Sequence, residues 1–414
     1  MSSNEIWNIK TACHTVQGVV DLPVSKSVMN RLQIIRFIAG FDPVEPQPDF
    51  PDDVNELAEV LAELKIGKPV IFTGNGGTTY RFSLAAAALK NEAVTLVAGE
   101  QMTQRPIGDL VEPLRNIGAE IVYLGTPGFP PVSVKKRFSG GITKVNTTQT
   151  GQFAGALALA APGCKQKCTF QFSSHITSRP YLDMTLSMMK SCGAQFTFEN
   201  NVLTVFSKNY TDAPQELLEK DMSAASYFYE IAALSSEAEI RLKNAAESGL
   251  QGDINAARIF EFFGVHTVQS NGDTILLKKA GEKIRSKHLK LNLRDNPDLA
   301  QTVACTAAAV GGCCTLTGLH TLRIKETDRI SALQSELTKL GCRVKAGSDC
   351  IQIHPPTQLK TGITVNSFND HRMVMAFAPL VLKTKEIGIH SHQCISKSFP
   401  RFKIQFEQLI NSFH

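Results

Sequence analysis

The residues able to do chemistry in this chain are cations, gathered in short polar motifs that lead into apolar stretches. Pro23-Val-Ser-Lys-Ser-Val-Met-Asn-Arg puts Lys26 and Ser27 at a helix start, with Arg31 one turn beyond Ser27. A Ser cap followed by a solvated Arg would read the same way, but would not explain why cations lead an apolar helix. Gly74-Asn-Gly-Gly-Thr, with Asn75 and Gly77, suits close approach of backbone to a ligand. Arg323-Ile-Lys-Glu-Thr-Asp-Arg spaces Lys325 and Arg329 four residues apart with Glu326 between them, a spacing that also fits a salt-bridged surface helix. Asn369-Asp-His-Arg offers Asp370 as a cap with Arg372 just inside, and Arg105 and Lys397 head two further motifs. Asp298, in Asn296-Pro-Asp, is either an N-cap or a general base. Helix N-termini present free N–H groups and a positive dipole end to anions. Seven cations at such places, against the two carboxylates Asp298 and Glu326, predict a small substrate with several phosphate or carboxylate charges.

The elements that must position these residues repeat. Six segments run from polar or small residues into an Ala-rich or apolar stretch, starting at Ser27, Thr78, Gly151, Ser223, Asp298 and Asp370, spaced 51, 73, 72, 75 and 72 residues apart. Such helices are apolar nearly all round and belong in an interior. Each is followed by a more amphipathic stretch, beginning near Asp52, Pro106, Arg179, Gly252, Thr327 and Phe402. Several of these end in Gly and a strand-like run, as in Asn116-Ile-Gly-Ala-Glu-Ile-Val-Tyr. The unit therefore reads as strand, buried helix, strands, surface helix, strand. Six units predict an α/β (α+β) protein of two domains with three units each, their buried helices inside a ring of sheets. The division falls near Glu219-Lys-Asp-Met-Ser: residues 22–220 form one domain, and 1–21 with 221–414 form a discontinuous second if the opening strand, Asn8 to Val20, pairs with the later half.

Composition narrows the class. The 414 residues carry 43 Lys+Arg against 38 Asp+Glu, a mild excess that no block concentrates, so no nucleic-acid partner is expected. No basic region precedes an apolar core at the start, so a secretory signal is not expected. The uncharged run Leu299–Leu319 is rich in Ala, Thr, Gly and Cys and reads as a buried helix, a turn and a strand rather than a membrane span. Ten cysteines without a CxxC read as free thiols in a reducing, cytoplasmic compartment. His390-Ser-His392 lacks a third ligand in reach, so no metal is expected there; no cofactor is expected either.

Taken in order, the motifs resemble the 5-enolpyruvylshikimate-3-phosphate (EPSP) synthase family of enolpyruvyl transferases along essentially the whole chain. The strings are P-V-S-K-S-V-M-N-R (23–31), G-N-G-G-T (74–78), R-P-I-G (105–108), G-Q-F-A-G-A-L-A-L-A-A-P (151–162), S-R-P-Y (178–181) and D-M-S-A-A-S-Y-F (221–228). They continue with Q-G-D-I (251–254), N-P-D (296–298), R-I-K-E-T-D-R (323–329), N-D-H-R-M (369–373) and K-S-F-P (397–400). The resemblance implies two domains joined by a two-stranded hinge, closing on the substrates. It implies a monomer that transfers the enolpyruvyl group of phosphoenolpyruvate to the 5-hydroxyl of shikimate 3-phosphate and releases phosphate without metal. On this reading Lys26, Ser27, Arg31, Thr150, Gly151, Gln152, Ser178, Tyr181, Asp298, Thr321 and Lys325 would hold shikimate 3-phosphate. Lys26, Asn75, Gly77, Arg105, Gln152, Glu326, Arg329, Arg372 and Lys397 would hold phosphoenolpyruvate. Asp298 would take the hydroxyl proton, and Glu326 would deliver a proton to the methylene carbon and later remove one; Lys26 is the third catalytic candidate.

The chain departs from the family pattern at four places. Thr150-Gly151-Gln152 stands where Ser-Ser-Gln is usual, so a Ser restored at Gly151 is expected to add a hydrogen bond to the 3-phosphate unless Gly151 has positive φ. Thr321 replaces a common Asn, and Phe82 a common Pro. The Pro- and Asp-rich stretch Phe41–Pro51 is short. Two other readings stay open: a transferase acting on UDP-N-acetylglucosamine, and a non-catalytic or RNA-end-processing protein on the same repeat fold. The first should carry Lys-Asn at the first helix and a reactive loop Cys. Here Lys26-Ser27 stands there, and no Cys lies between Cys13 and Cys164. The second should show a larger basic surface.

Overall fold

The computed structural model describes residues 5–211, 218–246, 249–282 and 288–411. The chain divides into two compact units, Val24–Glu219 and Met1–Pro23 with Lys220–His414.

In the unit Val24–Glu219, three inner helices, Lys26–Ala39, Gly77–Ala87 and Gln152–Ala160, pack on one another. The last two are buried along almost every face: Gln152–Ala160 is nearly all Ala, Leu and Gly, and in Gly77–Ala87 the polar Thr79, Tyr80 and Arg81 bond inside the unit. Each of these two crosses between parallel strands: Val70–Phe72 and Val94–Val97 flank Gly77–Ala87, and Gly141–Val145 and Cys168–Phe172 flank Gln152–Ala160. Two antiparallel strands complete each sheet, in the orders Val70–Phe72, Val94–Val97, Val132–Lys136, Glu120–Tyr123 and Gly141–Val145, Cys168–Phe172, Val202–Val205, Phe196–Glu199. Amphipathic helices Asp52–Lys65, Gly108–Asn116 and Arg179–Ser191 pack outside.

The other unit has the same plan. Inner helices Met222–Leu234, Ala300–Val310 and His371–Phe377 share one core, and the Ser226 and Thr302 hydroxyls meet at 3.1 Å between the first two. The run Leu299–Leu319 is helix Ala300–Val310, a left-handed Gly311 and strand Cys313–Thr317. The start of the chain is two strands, not one. Thr15–Val20 lies parallel to Glu237–Leu242 in a four-stranded sheet, and Ile6–Lys10 runs antiparallel to Glu386–His390 in a three-stranded one. The single tryptophan, Trp7, is buried there and donates to Glu407 at 2.8 Å.

The first repeat departs from the expected unit. Residues 41–51, between helices Lys26–Ala39 and Asp52–Lys65, contain no strand, so six inner helices are matched by five sheets among the described residues. Pro43, Pro46, Pro48 and Pro51 explain it, because each removes the N–H that a strand ladder needs. Among the described residues no helix is long and apolar enough to cross a membrane, and no group of three or more His, Cys, Asp or Glu could hold a metal.

Candidate active-site clusters

In the unit containing Lys220–His414, the chemically loaded motifs converge on one guanidinium. Arg329 is 1% exposed and opens helix Arg329–Lys339. It donates to Asp370 at 2.7 and 3.3 Å, to Asp298 at 3.0 Å and to Glu326 at 2.8 Å. Arg372 donates to the other Asp298 oxygen at 2.8 Å, while Lys325 lies 3.5 Å from Asp298 and Lys397 3.5 Å from Glu326. Three carboxylates thus share one buried Arg, with Asp298 and Glu326 on separate nitrogens of it and three further cations around those two.

The folding logic is local. Pro297 starts a 3-10 turn that sets Asp298 just ahead of helix Ala300–Val310. The Asp370 carboxylate accepts from the Arg372 N–H at 2.9 Å, capping the third inner helix while it grips Arg329. Burial pushes the Asp298 carboxyl up, but Arg372, Lys325 and Arg329 outweigh it and hold it well below the usual range. For Arg329, burial pulls the value down and Asp370, Glu326 and Asp298 more than restore it. Asp298 is therefore ionised and heavily neutralised.

Two sequence alternatives fall here. Lys325 and Arg329 do not share a surface helix, because the helix begins at Arg329, which is buried. Asp298 is no N-cap: its carboxylate meets three cations, and the cap position of helix Ala300–Val310 is Leu299. Thr321 lies on the 3-10 turn His320–Ile324, its buried hydroxyl without a hydrogen-bond partner among the described residues.

In the unit Val24–Glu219 the motifs meet at the N-termini of the three inner helices. Lys26 pairs with Asp53 at 2.8 Å. Arg31 donates to the Thr185 hydroxyl at 2.7 Å, the Ser27 carbonyl at 2.7 Å and the Tyr181 carbonyl at 3.2 Å, and burial lowers it to about 10. Its guanidinium stands 5.5 Å from the Phe82 ring centroid, so the Phe that replaces Pro packs against a proposed ligand residue. Gln152 bonds Arg81 through its carbonyl and Thr78 at 3.2 Å through its amide, and its N–H is accepted by Thr150 at 3.2 Å. Gly77 lies against Arg105: a Cβ there would fall 2.7 Å from three guanidinium atoms. Asn75 is different, since its side chain is exposed and accepts from the Gln101 N–H at 3.1 Å, a loop-bracing role.

Gly151 corrects an expectation. Its φ is −75°, so the backbone admits any residue, yet a Cβ would lie 2.7 Å from the Thr177 carbonyl oxygen. Ser at this position would press on fixed backbone next to Ser178, and the missing hydroxyl cannot be restored by substitution alone.

Sequence reasoning missed Asp53, Thr185, Arg81 and Tyr227, the last with its hydroxyl 3.4 Å from Arg372. Asp53 alone left a signal, in the paired acids at the start of helix Asp52–Lys65. Asp253 was also unread; it accepts from Ser223 and, at 3.1 Å, from Asn296, and burial followed by the nearby Asp298 charge raises it.

Two α/β units with cations clustered at helix starts, and a buried carboxylate–arginine cluster in one of them, suit an enzyme that handles a small, multiply anionic substrate. A family model described as EPSP synthase (3-phosphoshikimate 1-carboxyvinyltransferase) matches residues 51–406. The 3-phosphoshikimate 1-carboxyvinyltransferase of Shewanella halifaxensis is 31% identical, over 96% of this chain and 97% of that protein. The protein of that name from Erwinia tasmaniensis is 33% identical with the same coverage. An EPSP synthase structure from Acinetobacter baumannii superposes with a TM-score of 0.75 at 20% identity, over 98% of both chains. The chain belongs to the EPSP synthase family.

Proposed function

We propose that this chain catalyses the reaction its relatives are named for, transfer of the enolpyruvyl group of phosphoenolpyruvate to the 5-hydroxyl of shikimate 3-phosphate with release of phosphate. One observation carries the assignment of roles: Asp298 and Glu326 sit on different nitrogens of buried Arg329, ringed by Lys325, Arg372 and Lys397. The reaction needs one group to accept a hydroxyl proton and another to protonate the methylene carbon. It also needs fixed positive charge for a multiply anionic substrate.

In this reading Asp298 accepts the proton of the attacking hydroxyl. Without substrate it is a weak base, because three cations hold its charge. A phosphate or carboxylate arriving on Arg372 and Lys325 competes for those cations and raises the basicity of Asp298 as the substrate binds. Glu326 protonates C3 of phosphoenolpyruvate while the hydroxyl oxygen bonds to C2. It then removes a C3 proton as the C2–O bond to phosphate breaks. Arg329, Arg372 and Lys397 hold phosphoenolpyruvate, and Lys325 with the Thr321 hydroxyl serves shikimate 3-phosphate.

In the other unit, Lys26, Ser27, Arg31, Thr150, Gly151, Gln152, Ser178 and Tyr181 take shikimate 3-phosphate, the helix-start N–H groups at Gly151 and Gln152 among them. Arg105, Gly77, Lys26 and Gln152 take phosphoenolpyruvate, and Asn75 contributes by bracing the loop before Gly77. We extend the reading to a monomer of the cytoplasm; the ten free cysteines fit a reducing compartment. Phosphate release measured with each substrate alone, with both, and with UDP-N-acetylglucosamine in place of shikimate 3-phosphate tests the proposal. Release only with both named substrates supports it; release with the nucleotide sugar, or none at all, overturns it.

A further inference from the structure

All ten cysteines are free, and two of them touch: Cys164 Sγ and Cys168 Sγ lie 3.6 Å apart, both buried. Cys164 follows the 3-10 turn Ala161–Gly163 that continues inner helix Gln152–Ala160, and Cys168 opens strand Cys168–Phe172. Only Lys165-Gln166-Lys167 separates them, and all three residues are exposed. Cys313 and Cys314, adjacent in one strand, point to opposite faces and cannot bridge.

A disulfide requires an S–S distance of about 2.05 Å, so the contact must close by roughly 1.5 Å. Side-chain rotation at two residues flanking a three-residue exposed loop can supply it. The hydrogen bond between the sulfurs lowers Cys168 and raises Cys164, so Cys168 is the thiol of the pair that ionises more readily, although burial opposes the charge on both.

We propose that Cys164 and Cys168 form a peroxide-responsive dithiol that closes to an intramolecular disulfide. The Cys168 thiolate attacks one oxygen of hydrogen peroxide; the O–O bond breaks and hydroxide leaves, becoming water with the proton Cys168 released. The resulting sulfenic acid is attacked by the Cys164 sulfur. The S–O bond breaks, and the departing hydroxide takes the Cys164 proton as a second water. Two thiols and one peroxide give one disulfide and two waters, with two electrons passing from sulfur to peroxide. A small neutral oxidant suits sulfurs beneath a three-residue loop, and thiol exchange restores the pair.

The sequence supplies the readout. Trypsin cleaves after Lys165 and Lys167, placing the two cysteines on different peptides. The full-length protein is treated with hydrogen peroxide, its remaining thiols are alkylated in denaturant, and the digest is mapped without reductant. A linked pair of peptides two hydrogens lighter than their sum, released by dithiothreitol, is expected, with the other eight cysteines alkylated. In Cys164→Ser, Cys168 should pass on to sulfinic acid at peroxide doses where the wild type stops at the disulfide. Alkylated Cys164 and Cys168 after peroxide, or equally fast sulfinic acid formation in both proteins, overturns the proposal. If the variant does not fold, the wild-type map decides.

Discussion

Gly77→Ala isolates the contact on which phosphoenolpyruvate recognition is proposed to rest. Gly77 is the first residue of helix Gly77–Ala87 and is not among the glycines with positive φ, so Ala is acceptable to the backbone. The added methyl would sit 2.7 Å from Arg105 Cζ, Nη1 and Nη2, where ordinary contact begins at 3.4 Å. The guanidinium is the far end of a flexible side chain, so it withdraws by about 1 Å while the helix stays in place. Misplacing a binding group by about 1 Å costs on the order of 10²-fold, or ~2.7 kcal/mol. Steady-state phosphate release, with each substrate varied at saturation of the other, should show kcat/KM for phosphoenolpyruvate falling roughly 10²-fold. The shikimate 3-phosphate KM should barely move, and the anionic phosphonate glyphosate should compete less well. Urea unfolding should match the wild type. An unchanged kcat/KM for phosphoenolpyruvate, or equal losses for both substrates, would refute the reasoning.

Asp298→Asn should keep both substrates bound and lower kcat by about 10²–10⁴-fold, since an amide cannot take the hydroxyl proton; retained turnover with the wild-type pH profile rules Asp298 out. Arg372→Ala should raise the phosphoenolpyruvate KM far more than that of shikimate 3-phosphate, through loss of a charge-assisted contact of ~2–5 kcal/mol. Gly151→Ser should weaken shikimate 3-phosphate in calorimetric titration, because its Cβ meets the Thr177 carbonyl; tighter binding would contradict the packing. Glu230 is fully buried, neither carboxyl oxygen has a hydrogen-bond partner among the described residues, and burial raises it well above the usual carboxyl range. Its contribution to stability is complete below the unfolded-state value of about 4.3 and falls by up to ~1.4 kcal/mol per pH unit as pH climbs toward the folded value. Glu230→Met should therefore stabilise the protein at pH 8 and much less near pH 4, read by urea unfolding through the fluorescence of Trp7 in the same unit; an equal gain at both pH values would count against it.

Much of the fold was legible because apolar helices must be interior and Gly and Pro punctuate them. The inner helices start within two residues of the polar motifs at Ser27, Thr78, Gly151, Ser223, Asp298 and Asp370. The missing first sheet was not read, although the four prolines of residues 41–51 carried that information. The cations of the site were legible from their places at helix starts. Their carboxylate partners were harder, because Asp53 lies on a different helix from Lys26, and Asp370 looked like a cap. A cap and an arginine clamp use the same side-chain type, and only the packing of helix His371–Phe377 against Arg329 tells them apart. Gly151 shows the reverse limit: its family partners are visible in sequence, but the Thr177 carbonyl that fills its Cβ position comes from across the fold.

The most direct measurement runs the reaction in D2O with shikimate 3-phosphate and phosphoenolpyruvate, and analyses the product by mass spectrometry and proton NMR. Protonation of C3 by Glu326 followed by loss of a proton from the same carbon predicts one phosphate released per carboxyvinyl ether formed, with deuterium at its methylene carbon. Phosphate released without that ether, or an ether whose methylene carries no deuterium, would contradict the account.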